Sequence, residues 1–296
     1  MLKRLLDLIE IDLLNIEHYR VHTEWRHRNV SSPYSRLYLI TGGEGFIDCH
    51  SPRRTIHLIP GRMVLIPCFT RVDLFCPRSF DHYYIHLTTR LPNGTDLLTT
   101  LGCGREVAAR EHGISRKLFD RLRAINPGRE LRERDANQPI YRSVLNQSRQ
   151  LDQDKTAAQH LETNALLRLL LAPFLSVHSP SSVSNTLEGL RRFDRVLEHI
   201  QQNLASPMAL AELAELAELN AAYFSDLFGR LMGLPPIQYV NRRKMEHAQT
   251  LLLTTDRPLK WVARQCGFDD EFYFSRLFKK ITGLAPAHYR RQARLT

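Results

Sequence analysis

The tract from Tyr223 to Tyr239, YFSDLFGRLMGLPPIQY, returns fifty residues later from Tyr273 to Tyr289 as YFSRLFKKITGLAPAHY. Nine of the seventeen positions are identical, where chance would give about one, so the chain carries a duplicated structural unit. In each copy the apolar residues fall at i, i+3, i+4 and i+7: Phe224, Leu227, Phe228 and Leu231, then Phe274, Leu277, Phe278 and Ile281. That spacing predicts one buried stripe along a helix. Gly233 and Gly283 follow each stripe where a helix end favours positive φ, and Pro236 and Pro286 mark the restart beyond it.

A shorter helical pattern precedes each copy. Leu210, Leu213, Ala214 and Ala217 pair with Leu259, Val262, Ala263 and Cys266 at an offset of 49, and the N-cap candidates Asn220 and Asp269 keep that offset. The second copy therefore has one extra residue in the first turn of its longer helix. Each unit reads as short helix, tight turn, longer helix, which is the helix-turn-helix layout. Two such units, joined by an amphipathic helix around Gln238–Leu253, resemble the DNA-binding domain of the AraC/XylS family of bacterial transcription regulators. The residues that carry the resemblance are Gly267-Phe268, the run from Tyr273 to Lys280, and the run from Gly283 to Arg290. They cover about a third of the chain.

Charge alone does not find this region. The 296 residues carry 41 Lys+Arg against 31 Asp+Glu, a formal +10. Residues 187–296 hold 16 basic and 12 acidic side chains, a net +4, and the remaining +6 lies upstream. The length allows two domains with separate cores. The five cysteines, Cys49, Cys68, Cys76, Cys103 and Cys266, are odd in number and form no C-x-x-C pair. That pattern argues against a disulfide framework or zinc ribbon and fits a reducing cytosol. Asp7, Glu10 and Asp12 interrupt any signal-peptide core at the N-terminus, and no apolar run is long enough to span a bilayer. A cytoplasmic protein without a membrane partner is expected.

Residues 35–90 have a different texture. Short β-rich runs, Leu37–Ile40, Phe46–Cys49, Thr55–Leu58, Met63–Ile66, Val72–Phe75 and His82–Leu87, are separated by Gly, Pro and Asp clusters. The spacing predicts a small all-β sandwich or barrel. The segments Gly42–Gly45 and Ile59–Pro67 resemble the cupin-like sensor domain of many AraC-type regulators. Helical periodicity follows over 116–124, 139–151 and 157–175, the last with an apolar face of Leu161, Ala165, Leu166, Leu169 and Leu170. In the family, helices placed here pack on the sensor barrel and often form the dimer interface. The polar, Ser-rich stretch Ser176–Thr186 reads as a linker, and Leu190, Phe193, Leu197 and Ile200 begin the next helical stripe. The expected organisation is a cupin-like barrel over 1–112, appended helices over 113–175, a linker over 176–186, and an all-α domain of two helix-turn-helix units over 187–296.

With the stripes buried, the outward positions of the first long helix are Ala221, Ala222, Ser225, Asp226 and Gly229. In the second they are Asp270, Glu271, Phe272, Arg276 and Lys279. Arg276 is the best base reader, because guanidinium to guanine O6 and N7 is the commonest specific contact; the alternative is a solvated ion pair with Asp226 or a neighbouring acid. Lys279, Lys280, Arg230, Arg242 and Arg243 suit phosphates, which position without specifying. Phe272 can touch a thymine methyl or pack on its own helix. Asp226 can accept from cytosine N4, although a carboxylate near phosphates weakens binding. Asp270 and Glu271 are explained as partners of the helix dipole. Glu218 stands where the second unit has Gly267, so a positive φ there would cost about 1 kcal/mol or more.

In Asp81–Leu87, period two puts His82, Tyr84 and His86 on one face. Arg36 and Tyr38 share a face of an earlier strand, and Trp25 precedes it. Aromatic rings and imidazoles suit a polyol, with tyrosine stacking on CH faces and histidine bonding hydroxyls. Packing within the sandwich, or a place on its outer surface, is the alternative reading of the same residues. In the arabinose-responsive family member, His82 and Tyr84 fall on contacting positions, while Gly42 replaces a sugar-binding Arg. The His-x-His plus Glu and distant His pattern of a metal cupin is missing, so no metal, cofactor or catalytic residue is expected.

The combined reading is an effector-responsive, homodimeric, sequence-specific regulator. The resemblance implies activation through RNA polymerase, a sugar as effector and carbohydrate-utilisation genes as the targets. A cupin enzyme fused to a DNA-binding module, or a ligand-independent regulator whose β domain serves to dimerise, are the competing readings.

Overall fold

The computed structural model describes residues 7, 9–91, 93–100, 106–130, 148, 150–176 and 188–292. The expected helix 139–151 falls largely outside the described residues, and so does the expected linker. The chain divides into two compact units. One holds residues 11–89 and 102–177, the other 1–10, 90–101 and 178–294, over their described residues.

The first unit is built on two β-sheets. Its strands are β1 (Glu10–His22), β2 (Arg26–Val30), β3 (Ser35–Gly43), β4 (Gly45–His50), β5 (Arg53–Leu58), β6 (Arg62–Ile66), β7 (Val72–Phe75), β8 (Ser79–Arg90) and β9 (Glu106–Ala108). Five of them form a sheet in the order β1-β8-β3-β6-β9, and four form a second in the order β2-β7-β4-β5. The β3–β8, β3–β6, β6–β9, β4–β5, β4–β7 and β2–β7 ladders are antiparallel. One core joins the inner faces: Tyr38, Ile40, Val64, Ile66, Phe80 and Tyr84 from the larger sheet meet Ile47, Cys49, Ile56, Leu58, Val72 and Leu74 from the smaller. Residues that alternate with these on β8 point the other way. Tyr83 packs on Phe119 at 5.3 Å between ring centroids and donates to Asp120 at 2.6 Å. Both partners lie on a short helix, Arg116–Ala124.

All six strands read from the sequence are present within these bounds. β1, β2 and β9 are additions. β1 hides from pattern reading because Leu13, Leu14, Asn15 and Ile16 are buried in succession, so the polar–apolar alternation of a half-exposed strand is lost. The helix Ala157–Ser176 forms where expected but turns a different face inward. Leu167, Leu170, Leu171 and Phe174 are buried, whereas Leu161 is 75% exposed and Leu169 is 46% exposed. With leucine on nearly every side, its composition cannot fix the rotation. The Arg121–Glu162 pair and the hydrogen bond from Asn126 Nδ2 to Thr163 Oγ1, 3.1 Å, hold it against the neighbouring segment instead.

The helical unit contains the repeat. We number its helices α1 (Asp194–Gln202), α2 (Leu210–Leu216), α3 (Ala221–Met232), α4 (Pro236–Thr254), α5 (Leu259–Gln265), α6 (Glu271–Thr282) and α7 (Pro286–Gln292). The duplication is visible in the packing. Phe228 meets Tyr239 at 5.5 Å and 75°, and Phe278 meets Tyr289 at 5.5 Å and 74°. Phe193 closes the first core against Phe224 and Phe228. Met245, Ala248 and Leu252 of α4 close the second with Val262, Cys266, Phe274 and Phe278. Ile281 departs from the expected stripe and is 42% exposed. Thr282 is buried in its stead and donates through Oγ1 to the Phe278 carbonyl at 2.8 Å.

Candidate nucleic-acid interface and sensor interior

The second unit presents the more cationic helix. Asp270, not Asp269, caps α6: its Oδ1 accepts from Phe272 N at 2.7 Å and Tyr273 N at 3.1 Å. The extra residue of the second copy thus lies before the cap rather than inside the first turn. A carboxylate here satisfies free amide donors and favours the helix dipole. Burial of Phe274 and Phe278 turns Phe272, Arg276, Lys279 and Lys280 outward, with Glu271 half-buried. Phe272 is 81% exposed, which removes the reading that it packs on its own helix. Arg276, Lys279 and Lys280 make no ion pair among the described residues. Arg276 is therefore not neutralised by Asp226, which instead pairs with Arg230 at 3.1 Å.

The first unit has the same backbone and a different surface. Asn220 caps α3 by accepting from Tyr223 N at 2.9 Å. Ala222, Asp226 and Arg230 are exposed, and Ser225 is half-buried. The turn before α3 holds Glu218 at φ 56°, and the matching turn holds Gly267 at φ 71°. The positive φ anticipated from the repeat is therefore present in both. Gly267 could not be replaced freely, since a Cβ there would lie 2.6 Å from Lys244 Nζ and 3.0 Å from the Ser206 carbonyl oxygen. Lys244 itself is buried, donating to that oxygen at 2.8 Å. Arg243, expected on phosphate, is held within the unit: it donates to the Gly94 carbonyl at 2.8 Å and pairs with Glu246.

In the β unit, the side chains of Trp25, Arg36, Tyr38, His82, Tyr84 and His86 are all buried. The β3–β8 register sets Arg36 opposite His86, Tyr38 opposite Tyr84, and Ile40 opposite His82. Their rings form a continuous row: Tyr38 to His82 5.3 Å, His82 to Tyr84 5.8 Å, Tyr84 to His86 5.2 Å, and His86 to Tyr34 4.6 Å. Trp25 sits 6.5 Å from His82. Burial pushes His82 down to about 3 and His86 well below the usual imidazole range, so both rings are neutral at pH 7. Burial pushes the Tyr38 hydroxyl up to about 12.

Four polar groups of this interior went unseen in the sequence. Glu17 of β1 accepts from the Tyr84 hydroxyl at 2.6 Å, Asn15 meets His86 Nδ1 at 3.4 Å, Ser32 accepts from Arg36, and Tyr34 lies under the Arg36 guanidinium. Recognising β1 with period two would have placed Asn15 and Glu17 on one face. Gly42 contributes nothing to the interior, because a Cβ there would meet Asp81 Oδ2 at 3.1 Å, a carboxylate that pairs outward with the exposed Arg20. Among the described residues, no three metal-ligating side chains gather in one place, and no helix is long and apolar enough to cross a membrane.

Residues 213–292 match a family model described as a helix-turn-helix domain. The HTH-type transcriptional regulator YijO of Escherichia coli (strain K12) is 34% identical over 129 residues, 42% of this chain and 45% of that protein. The MmsAB operon regulatory protein of Pseudomonas aeruginosa is 34% identical over 107 residues, 36% of this chain and 35% of that protein. The arabinose operon regulatory protein of Escherichia coli (strain K12) is 30% identical over 162 residues, 53% of each. The matched stretches span about half the length of these relatives or less. Over its C-terminal helices, the chain has AraC-type regulators as homologues.

Proposed function

We propose that this chain, by its helix-turn-helix domain a relative of the AraC-type regulators, binds specific DNA sequences through α3 and α6 and controls transcription. The observation that carries the reading is the repeated unit itself: two capped, outward-facing helices with the same aromatic packing, one of them bearing Arg276, Lys279 and Lys280 unpaired. Arg276 reads a base edge, Lys279, Lys280 and Arg230 hold phosphates, and Phe272 touches a thymine methyl. Ala222, Ser225, Asp226 and Glu271 complete the two surfaces. The protein acts in the cytoplasm as a homodimer, without catalysis, and its regulation of RNA polymerase answers a small molecule held among Trp25, Arg36, Tyr38, His82, Tyr84 and His86. Kinship with an arabinose operon regulatory protein favours a carbohydrate-type effector.

Footprinting of the full chain tests the DNA reading. Two recognition helices on one face of the duplex should protect two successive major-groove segments about 34 Å apart. Protection of one segment would limit base reading to the second unit. The sensor reading is tested with Tyr84→Ala, which should abolish the transcriptional response while leaving operator affinity within about 0.5 kcal/mol. A stable Tyr84→Ala protein with a normal response would remove Tyr84 from the site.

A further inference from the structure

Arg36 is only 3% exposed, yet among the described residues its guanidinium hydrogen-bonds to one acceptor, Ser32 Oγ at 2.7 Å, and meets no carboxylate. Its remaining support is the Tyr34 ring, 5.1 Å away. A guanidinium has five N–H donors in a planar fork. Buried charges are ordinarily paired, because removing one from water without an opposite charge is costly. The other buried arginine of this unit, Arg129, follows that rule and pairs with Asp152. Arg36 does not.

Two further groups on the same interior face are incompletely used. His82 is 3% exposed, and its Nδ1 has no hydrogen-bond partner. The Tyr19 backbone hydrogen-bonds the same ring in a way that favours its charged form, as a carbonyl does. In the neutral ring the nitrogen facing that carbonyl carries the hydrogen, which leaves Nδ1 a bare acceptor. The Tyr38 hydroxyl, between Arg36 and Ile40 on β3, also makes no hydrogen bond among the described residues. Glu17 adds a second acceptor beside Tyr84. The interior therefore offers a cation at one end and acceptors further along.

We propose that the small molecule sensed by this chain is a hydroxylated carboxylic acid, an aldonate or uronate in type. Its carboxylate is bound by Arg36, and its hydroxyls by His82 Nδ1, Tyr38 and Glu17. This rests on the sensor reading above and sharpens it from sugar to sugar acid. The register separates Arg36 from His82 by four residues, roughly 13 Å along the strands. A ligand that meets both must extend along the strands past Tyr38 and Tyr84. A neutral sugar would satisfy the acceptors and leave the guanidinium unpaired. A simple alkanoate would do the reverse.

Calorimetric titration of the full chain with matched pairs decides this. The probes are D-galactose against D-galacturonate, D-glucose against D-gluconate, and hexanoate as an acid without hydroxyls. An acid should bind at least about tenfold tighter than its neutral counterpart and than hexanoate, since each of those leaves a buried polar group unpaired. Arg36→Gln should erase the preference, and Arg36→Lys should keep part of it. The wild-type comparison stands even if Arg36→Gln does not fold. Neutral sugars that bind as tightly as the acids, through a Tyr84-dependent site, would overturn the acid class and leave the sensor reading intact. Hexanoate binding equal to galacturonate would overturn the role of the hydroxyls. Silence from every probe on a cooperatively melting chain would overturn the proposal and the carbohydrate-type sensor together.

Discussion

The two helix-turn-helix units share a backbone and differ where a partner would touch them. At matched positions the first unit carries Ala221, Ala222, Asp226, Gly229 and Arg230, and the second carries Glu271, Phe272, Arg276, Lys279 and Lys280. One surface is small with its charges paired to each other; the other is large and cationic. Buried positions tell the opposite story, since Phe224 and Phe228 repeat as Phe274 and Phe278. Duplication therefore preserved what the fold needs, while the outward face was free to diverge. Even the strain differs, because the left-handed turn is held by glycine in one unit and by glutamate in the other.

The largest way to separate the units is at that turn. Gly267→Val combines left-handed strain with a collision against Lys244 and backbone, so it should cost about 3 kcal/mol or more. Urea denaturation measures it, and a loss below about 1 kcal/mol would show that the second turn accommodates a side chain. Next in size is Arg276→Ala, which should cost about 1–3 kcal/mol on the cognate operator and relax preference at one base pair. Lys280→Ala should weaken cognate and random DNA alike and flatten the salt dependence. Equal losses on both DNAs for Arg276→Ala would demote it to a phosphate contact.

Glu218→Gly should stabilise the chain by about 1 kcal/mol, because it relieves left-handed strain without disturbing a close contact. An unchanged melting curve would mean that Glu218 is compensated locally. The smallest effect is expected at Asp226. Its ion pair with Arg230 is exposed, so Asp226→Asn should shift stability by less than about 0.5 kcal/mol. The same change should raise DNA affinity modestly by freeing Arg230 for phosphate, most clearly at low salt. A fall in affinity would identify Asp226 as an acceptor from a base.

The helical half of the molecule was legible because its signal is internal. Two copies with one stripe each fix helix positions, caps and turn, and the structure moved one cap from Asp269 to Asp270. The β strands with clean alternation were legible too. β1 was not, since burial of four consecutive residues erases its period, and with it went Asn15 and Glu17. The face of the helix Ala157–Ser176 was beyond reach for the opposite reason: too many leucines gave several equivalent stripes. Arg36, Tyr38, His82, Tyr84 and His86 could be assigned to common strand faces. Which side of the sheet those faces took was decided by tertiary packing.

The buried cysteines give the molecule a set of internal clocks. Cys49, Cys68 and Cys76 lie inside the β unit and Cys266 inside the helical one. Burial raises the Cys76 thiol and pushes Cys266 up to about 12 despite the nearby Lys244, so neither reacts readily while folded. Alkylation followed by mass spectrometry would then time opening of the sandwich and of the second helix-turn-helix separately, with no cysteine introduced. A ligand that tightens one unit would slow its own thiols, and any slowing of the others would measure how far that tightening travels.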